Sequence, residues 1–174
     1  MTYAKAPSQG ALTAETIVNT WGEESLSDII FGWGQERFAR RIARAIVERR
    51  AVKPFSTASE LAEVVRSAVP PPARRGKTHP ATKTFQALRI AVNDELGALT
   101  EGLTAAWHAL LPGGRIAVIT FHSIEDGLVK RFFADLEKKG EGIRLTKKPL
   151  PPSEKELQEN PRSRSAKLRV IEKN

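Results

Sequence analysis

The apolar pattern of this chain changes character near Asn93, and that change limits the folds open to it. Up to Asn93 every strong periodicity is helical. A short helix is expected over 12–19. Leu26, Ile29 and Ile30 keep helical spacing over 23–31, and Gly32 and Gly34 then mark a break. Phe38, Ile42 and Ile46 repeat every four residues over 35–50, with Ala39, Ala43 and Val47 beside them as a core stripe. Thr57 with Glu60 reads as a capping box opening a helix on Leu61, Val64, Val65 and Ala68, which Pro70, Pro71 and Pro72 stop. His79-Pro80 begins a stretch in which Phe85, Leu88, Val92, Leu96, Leu99, Leu103 and Trp107 recur at threes and fours. Glycine costs a helix roughly 1 kcal/mol relative to alanine, so two helices joined near Gly97 or Gly102 are expected there.

Beyond Asn93 strands enter. Leu111-Pro112-Gly113-Gly114 is a turn, and the run RIAVITF (115–121) is almost continuously apolar. Continuous hydrophobicity predicts a strand buried on both faces, as in a parallel α/β sheet. A helix over 124–136, strands over 143–147 and 166–172, and a short helix over 154–159 complete the pattern. The expected class is therefore α/β. Three strands leave a long sheet edge open, so they cannot make a complete doubly wound sheet.

Charge points to a partner. Lys and Arg number 28 against 20 Asp and Glu, a net +8 with an isoelectric point near 10.0. Such an excess favours a polyanion, with nucleic acid ahead of membrane. Residues 64–93 contain no acid but six basic residues: Arg66, Arg74, Arg75, Lys77, Lys83 and Arg89. Arg37, Arg40, Arg41 and Arg44 lie off the core stripe, and Arg162 and Arg164 form a second basic stretch near the C-terminus. These residues, with His79, are the candidate RNA contacts. The absence of cysteine excludes disulfides and thiolate chemistry, and the three histidines lack ligand spacing, so no metal is expected. The first ten residues lack the apolar core of a signal peptide, and no apolar run approaches the ~20 residues of a membrane span. A cytoplasmic protein without a membrane partner is expected.

Phe121-His122-Ser123-Ile124-Glu125-Asp126 follows the apolar strand directly. In an open α/β sheet, residues past a strand's C-terminal end face the ligand crevice, which makes His122 and Ser123 candidate site residues. Ser123 also reads, and more readily, as the cap of the next helix, with Glu125 and Asp126 favouring its positive end.

Four blocks in order carry a specific resemblance: GQERFARRIARAIVERR (34–50), HPATKTFQALRIAVNDEL (79–96), LLPGGRIAVITFHSIED (110–126) and ENPRSRSAKLRVIEK (159–173). Together they resemble the S-adenosylmethionine-dependent 16S rRNA (cytosine-N4)-methyltransferases. The resemblance runs from about Ser8 to the C-terminus. It implies a Rossmann-like methyltransferase domain interrupted by a helical RNA-recognition domain. Residues 1–83 would be the recognition domain with an extended lead-in, and residues 84–174 the last helices and strands of the catalytic domain. It further implies S-adenosylmethionine as cofactor, 16S rRNA or the small ribosomal subunit as partner, and His122 and Ser123 as one crevice wall. The family's glycine-rich cofactor turn after its first strand has no counterpart here, nor does its target-amine tetrapeptide. The chain alone is therefore expected to bind cofactor weakly or not at all. Three other readings remain: a non-catalytic RNA-binding module, one half of a split enzyme completed by a separate N-terminal half, and a nonfunctional remnant whose exposed sheet edge would make it aggregate when expressed alone.

Overall fold

In the computed structural model, which describes residue 1, residues 10–76 and residues 78–174, the chain separates into two units, Met1–Glu95 and Leu96–Asn174. The expected lead-in, residues 2–9, and the candidate Lys77 lie outside the described residues.

The first unit is helical: α1 (Ala14–Thr20), α2 (Glu23–Gly32), α3 (Ala39–Val52), α4 (Ala58–Ala68) and α5 (Thr82–Asn93), with a 3₁₀ turn over Pro71–Arg75. Helix α3 is the centre. Its stripe Ile42, Ala43 and Ile46 is wholly buried against Ile17, Leu26, Ile30 and Val65 from α1, α2 and α4. It starts at Ala39, not at Gln35, because Gln35 takes a left-handed backbone (φ +52°) that a helix cannot include. Beside it, a side chain at Gly34 would meet the Ile30 carbonyl at 2.5 Å and the Lys83 carbonyl at 2.7 Å. Glycine is what lets the α2–α3 connection lie against the start of α5. The Thr57–Glu60 capping box forms as the spacing predicts. Backbone N–H groups of Ser56 and Thr57 hold the Glu60 carboxyl down to about 2.

The break after α5 falls at Asp94 (φ 45°), and α6 (Glu95–Ala109) runs unbroken through Gly97 and Gly102. The expected glycine joint is thus corrected. Asp tolerates the left-handed conformation that ends a helix, and the helix propensity cost of two glycines does not outweigh the packing of Leu103 and Trp107.

The second unit combines α6 and α7 (Ser123–Lys138) with β1 (Arg115–Thr120), β2 (Gly142–Arg144), the short α8 (Glu154–Glu159) and β3 (Lys167–Lys173). Strand order is β1-β3-β2, and both pairings are antiparallel, with Ile116 opposite Ile171 and Val118 opposite Arg169. This mixed helix and small-sheet architecture is the α/β class expected. The predicted two-sided burial of β1 is not what forms. Ile116 and Val118 pack with Ile171, Trp107, Val129 and Phe133, whereas Ala117 and Ile119 on the other face are exposed, Ile119 at 60%. Ile143 of β2, in register with Glu172, is also exposed at 54%. An antiparallel sheet sustains one open face, and here that face carries the exposed Ile119 and Ile143 beside the Arg115–Glu172 ion pair.

A buried ion pair holds the covered face together. Arg169 of β3, 4% exposed, grips Asp126 of α7 through two bonds of 2.7 and 3.1 Å, and Lys167 stands 3.4 Å from the same carboxylate. The Arg169 guanidinium, and behind it Lys167, keep the Asp126 carboxyl below its ordinary range against the opposing pull of burial.

Candidate functional site

Helix α3 and the loop before it carry the cations that nothing in the fold consumes. Arg37, Arg40 and Arg41 are exposed and make no ion pair or hydrogen bond among the described residues. The Arg37 guanidinium instead lies 4.6 Å over the Phe38 ring. Arg44 meets Glu48 at 3.7 Å one turn on, an exposed pair that costs little to open.

The acid-free stretch reads differently in three dimensions. Arg66 is paired with Glu63 at 2.7 Å. Arg74 donates to the carbonyls of Val69 and Ser67, both at 2.9 Å, tying the 3₁₀ turn to the end of α4. Arg89 forms a fork with Glu95 at 2.7 and 2.9 Å. Lys83 donates to the Gln35 carbonyl at 2.9 Å and stands 3.9 Å from Glu36. Most of the stretch is therefore spent on holding the unit together, and among the described residues its exposed remainder is Arg75 with the neighbouring His79, whose Nδ1 accepts from the Ala81 N–H. In the second unit, Arg162 and Arg164 are exposed on the 3₁₀ turn Pro161–Ser165, also without a partner among the described residues.

Two clefts of about 390 Å³ each flank Arg37 and Phe38 in the helical unit. One is walled by Val69, Ala73, His79 and Lys83, with the buried Glu36 at its floor; Glu36 accepts from the Phe38 N–H at 2.9 Å. The other is walled by Asp28, Phe31, Arg40 and Arg41. Phe31 is 66% exposed. Sequence reasoning missed it because it belongs to the same apolar run as Leu26, Ile29 and Ile30; only its position on the outer side of α2 could have singled it out.

At the end of β1 the chemistry is that of a cap. His122, not Ser123, is the residue preceding α7, and its Nδ1 accepts from the Glu125 N–H at 3.3 Å. Glu125 reaches back to accept from the Phe121 N–H at 3.0 Å, one residue before the cap, so the two side chains together tie the β1–α7 connection to the first turn of the helix. Ser123 is the first helical residue, so its expected role as the cap is corrected by one position. With Nδ1 an acceptor, the neutral imidazole carries its proton on Nε2. That nitrogen is buried and lies 3.3 Å from Glu125 Oε1 without making a hydrogen bond to it. Burial would raise the Glu125 carboxyl; the adjacent imidazole and the Phe121 N–H outweigh it and hold the carboxyl low.

The profile of the MraW methylase family matches residues 5–174. The small-subunit ribosomal RNA methyltransferase H of Coprothermobacter proteolyticus is 53% identical over 93% of this chain and 53% of its own length. The proteins of that name from a Paenibacillus species and from Nostoc punctiforme are each 52% identical over 94% of the chain, covering 57% and 53% of theirs. The chain thus spans a little over half the length of these relatives.

Proposed function

We propose, from the fact that this chain belongs to the MraW methylase family, that it serves in the cytoplasm to methylate the N4 amine of a 16S rRNA cytidine. When bound, S-adenosylmethionine would supply an electrophilic methyl group. The residues of this chain do not by themselves fit that cofactor. The acids next to β1 are committed, Glu125 to the Phe121 N–H and Asp126 to Arg169, so neither is free to hold a ribose. The chain's own part is to bind and orient RNA. The helical unit is the recognition domain, and the sheet unit is part of a Rossmann-like domain whose crevice wall includes His122 and Ser123. The unspent cluster Arg37, Arg40 and Arg41 is the observation that carries this division.

A titration of the purified chain with labelled S-adenosylmethionine, with and without small-subunit rRNA, tests it. Salt-dependent RNA binding without stoichiometric cofactor binding is expected. Stoichiometric cofactor binding by the chain alone would overturn the division of labour.

The open face of β1 and β2 favours one further reading, that a separate polypeptide completes the sheet. RIAVITF has the composition of a strand covered on both sides, and here one cover is missing. Co-expression with the N-terminal half of a relative is expected to give a 1:1 complex that binds cofactor; two species that do not associate would rule this out.

A further inference from the structure

The geometry points to a stacking platform for single-stranded RNA on the outer side of α2 and the start of α3, with Phe31 as its aromatic surface. This rests on the proposal that the helical unit binds RNA, and it specifies where and in what form.

A single exposed aromatic residue is ordinary on a protein surface. Phe31 differs in its setting. It walls a cleft of about 390 Å³ together with Arg37, Arg40 and Arg41, three guanidinium groups against the single acid Asp28. Across the Arg37–Phe38 ridge lies a second cleft of similar volume, walled by His79 and by Lys83, which stands 3.9 Å from the buried Glu36 of the same cleft. The ridge is itself an arginine lying on an aromatic ring. Cations that track a phosphate backbone, alternating with π-faces that accept bases, make the arrangement that holds single strands without reading sequence. A duplex offers its phosphates to the same arginines but keeps its bases stacked on one another, so Phe31 has nothing to receive from it. The two clefts on either side of one ridge give room for consecutive unpaired nucleotides, with a base on Phe31 and the backbone crossing at Arg37.

The test is a fluorescence-anisotropy titration of the full chain with a 12-nucleotide RNA, single-stranded and as a duplex, at several salt concentrations. Phe31→Ala is expected to weaken single-strand binding roughly 5- to 100-fold, to leave duplex binding and the salt slope unchanged, and to be rescued by Phe31→Trp. Arg40→Ala and Arg41→Ala are each expected to lower the salt slope for both RNAs by about 1. If the arginine variants weaken binding while Phe31→Ala binds single strands as the parent does, the platform is wrong and RNA binding by the unit stands. If the parent chain binds neither RNA, the platform falls together with the reading it rests on. Because Phe31 is exposed, its replacement leaves the core intact, and an unchanged thermal melt of the variant verifies this.

Discussion

Where the helical unit wraps Ile42 and Ile46 with α1, α2 and α4 until neither meets water, the sheet unit covers one face of β1 and leaves Ala117 and Ile119 of the other in solvent. The electrostatics differ in the same sense. The helical unit ends with surplus arginines on its surface, while the sheet unit buries its most demanding charges, Asp126 and Arg169, against each other. The first unit buries its apolar stripe on every side and leaves arginines exposed. The second buries one face of its small sheet and leaves Ile119 and Ile143 of the other exposed.

The largest effect that could break this contrast comes from the ion pair. Asp126→Asn strands the buried Arg169 guanidinium and is expected to cost about 3–5 kcal/mol. The loss should appear as faster amide exchange in α7 and β3 with the helical unit unaffected; loss of protection in both units together would mean that they unfold as one. Because the folded-state Asp126 carboxyl lies below its unfolded value, its contribution is complete above about pH 4. It is lost as the pH falls through the depressed folded value, so the sheet unit of the parent chain should weaken on acidification in that range. Next comes Ile46→Ala, which removes a wholly buried side chain from the centre of the helical core. It is expected to cost about 2–5 kcal/mol in a urea titration, confined to that unit. Thr57→Ala removes one side of the capping box and should cost about 1 kcal/mol. At the small end, Ile119→Lys on the open face should change stability by no more than about 0.5 kcal/mol while reducing self-association in sedimentation. A large destabilisation there would mean that the face is covered within this chain.

Much of this was legible in the sequence where the signal is local. The Thr57–Glu60 spacing specified its cap, the stripe of α3 specified the core, and the short helix at Glu154–Glu159 has the bounds its pattern implies. What depended on partners was not. RIAVITF encodes an affinity for two covers but cannot say which are present, so an antiparallel strand with one bare face looked like a parallel interior one. The break at Asp94 hid because a single left-handed residue leaves no periodic trace, whereas the two glycines in α6 attract suspicion they do not merit. The run of cations between Val64 and Asn93 looked like the RNA surface. Arg74 is claimed by carbonyls at the end of α4 and Arg89 by Glu95 beyond the next turn, and those partners are set by the fold. At β1 the error was one residue: Ser123 is the commoner capping type, yet the backbone places His122 there.

Amide exchange of the full chain with and without a small-subunit rRNA fragment tests the division between the two units most directly. Protection is expected on α2 and the start of α3, around Phe31 to Arg44, with the bare face of β1 unchanged. Protection confined to the sheet unit, with α2 and α3 exchanging as in the free chain, would contradict it.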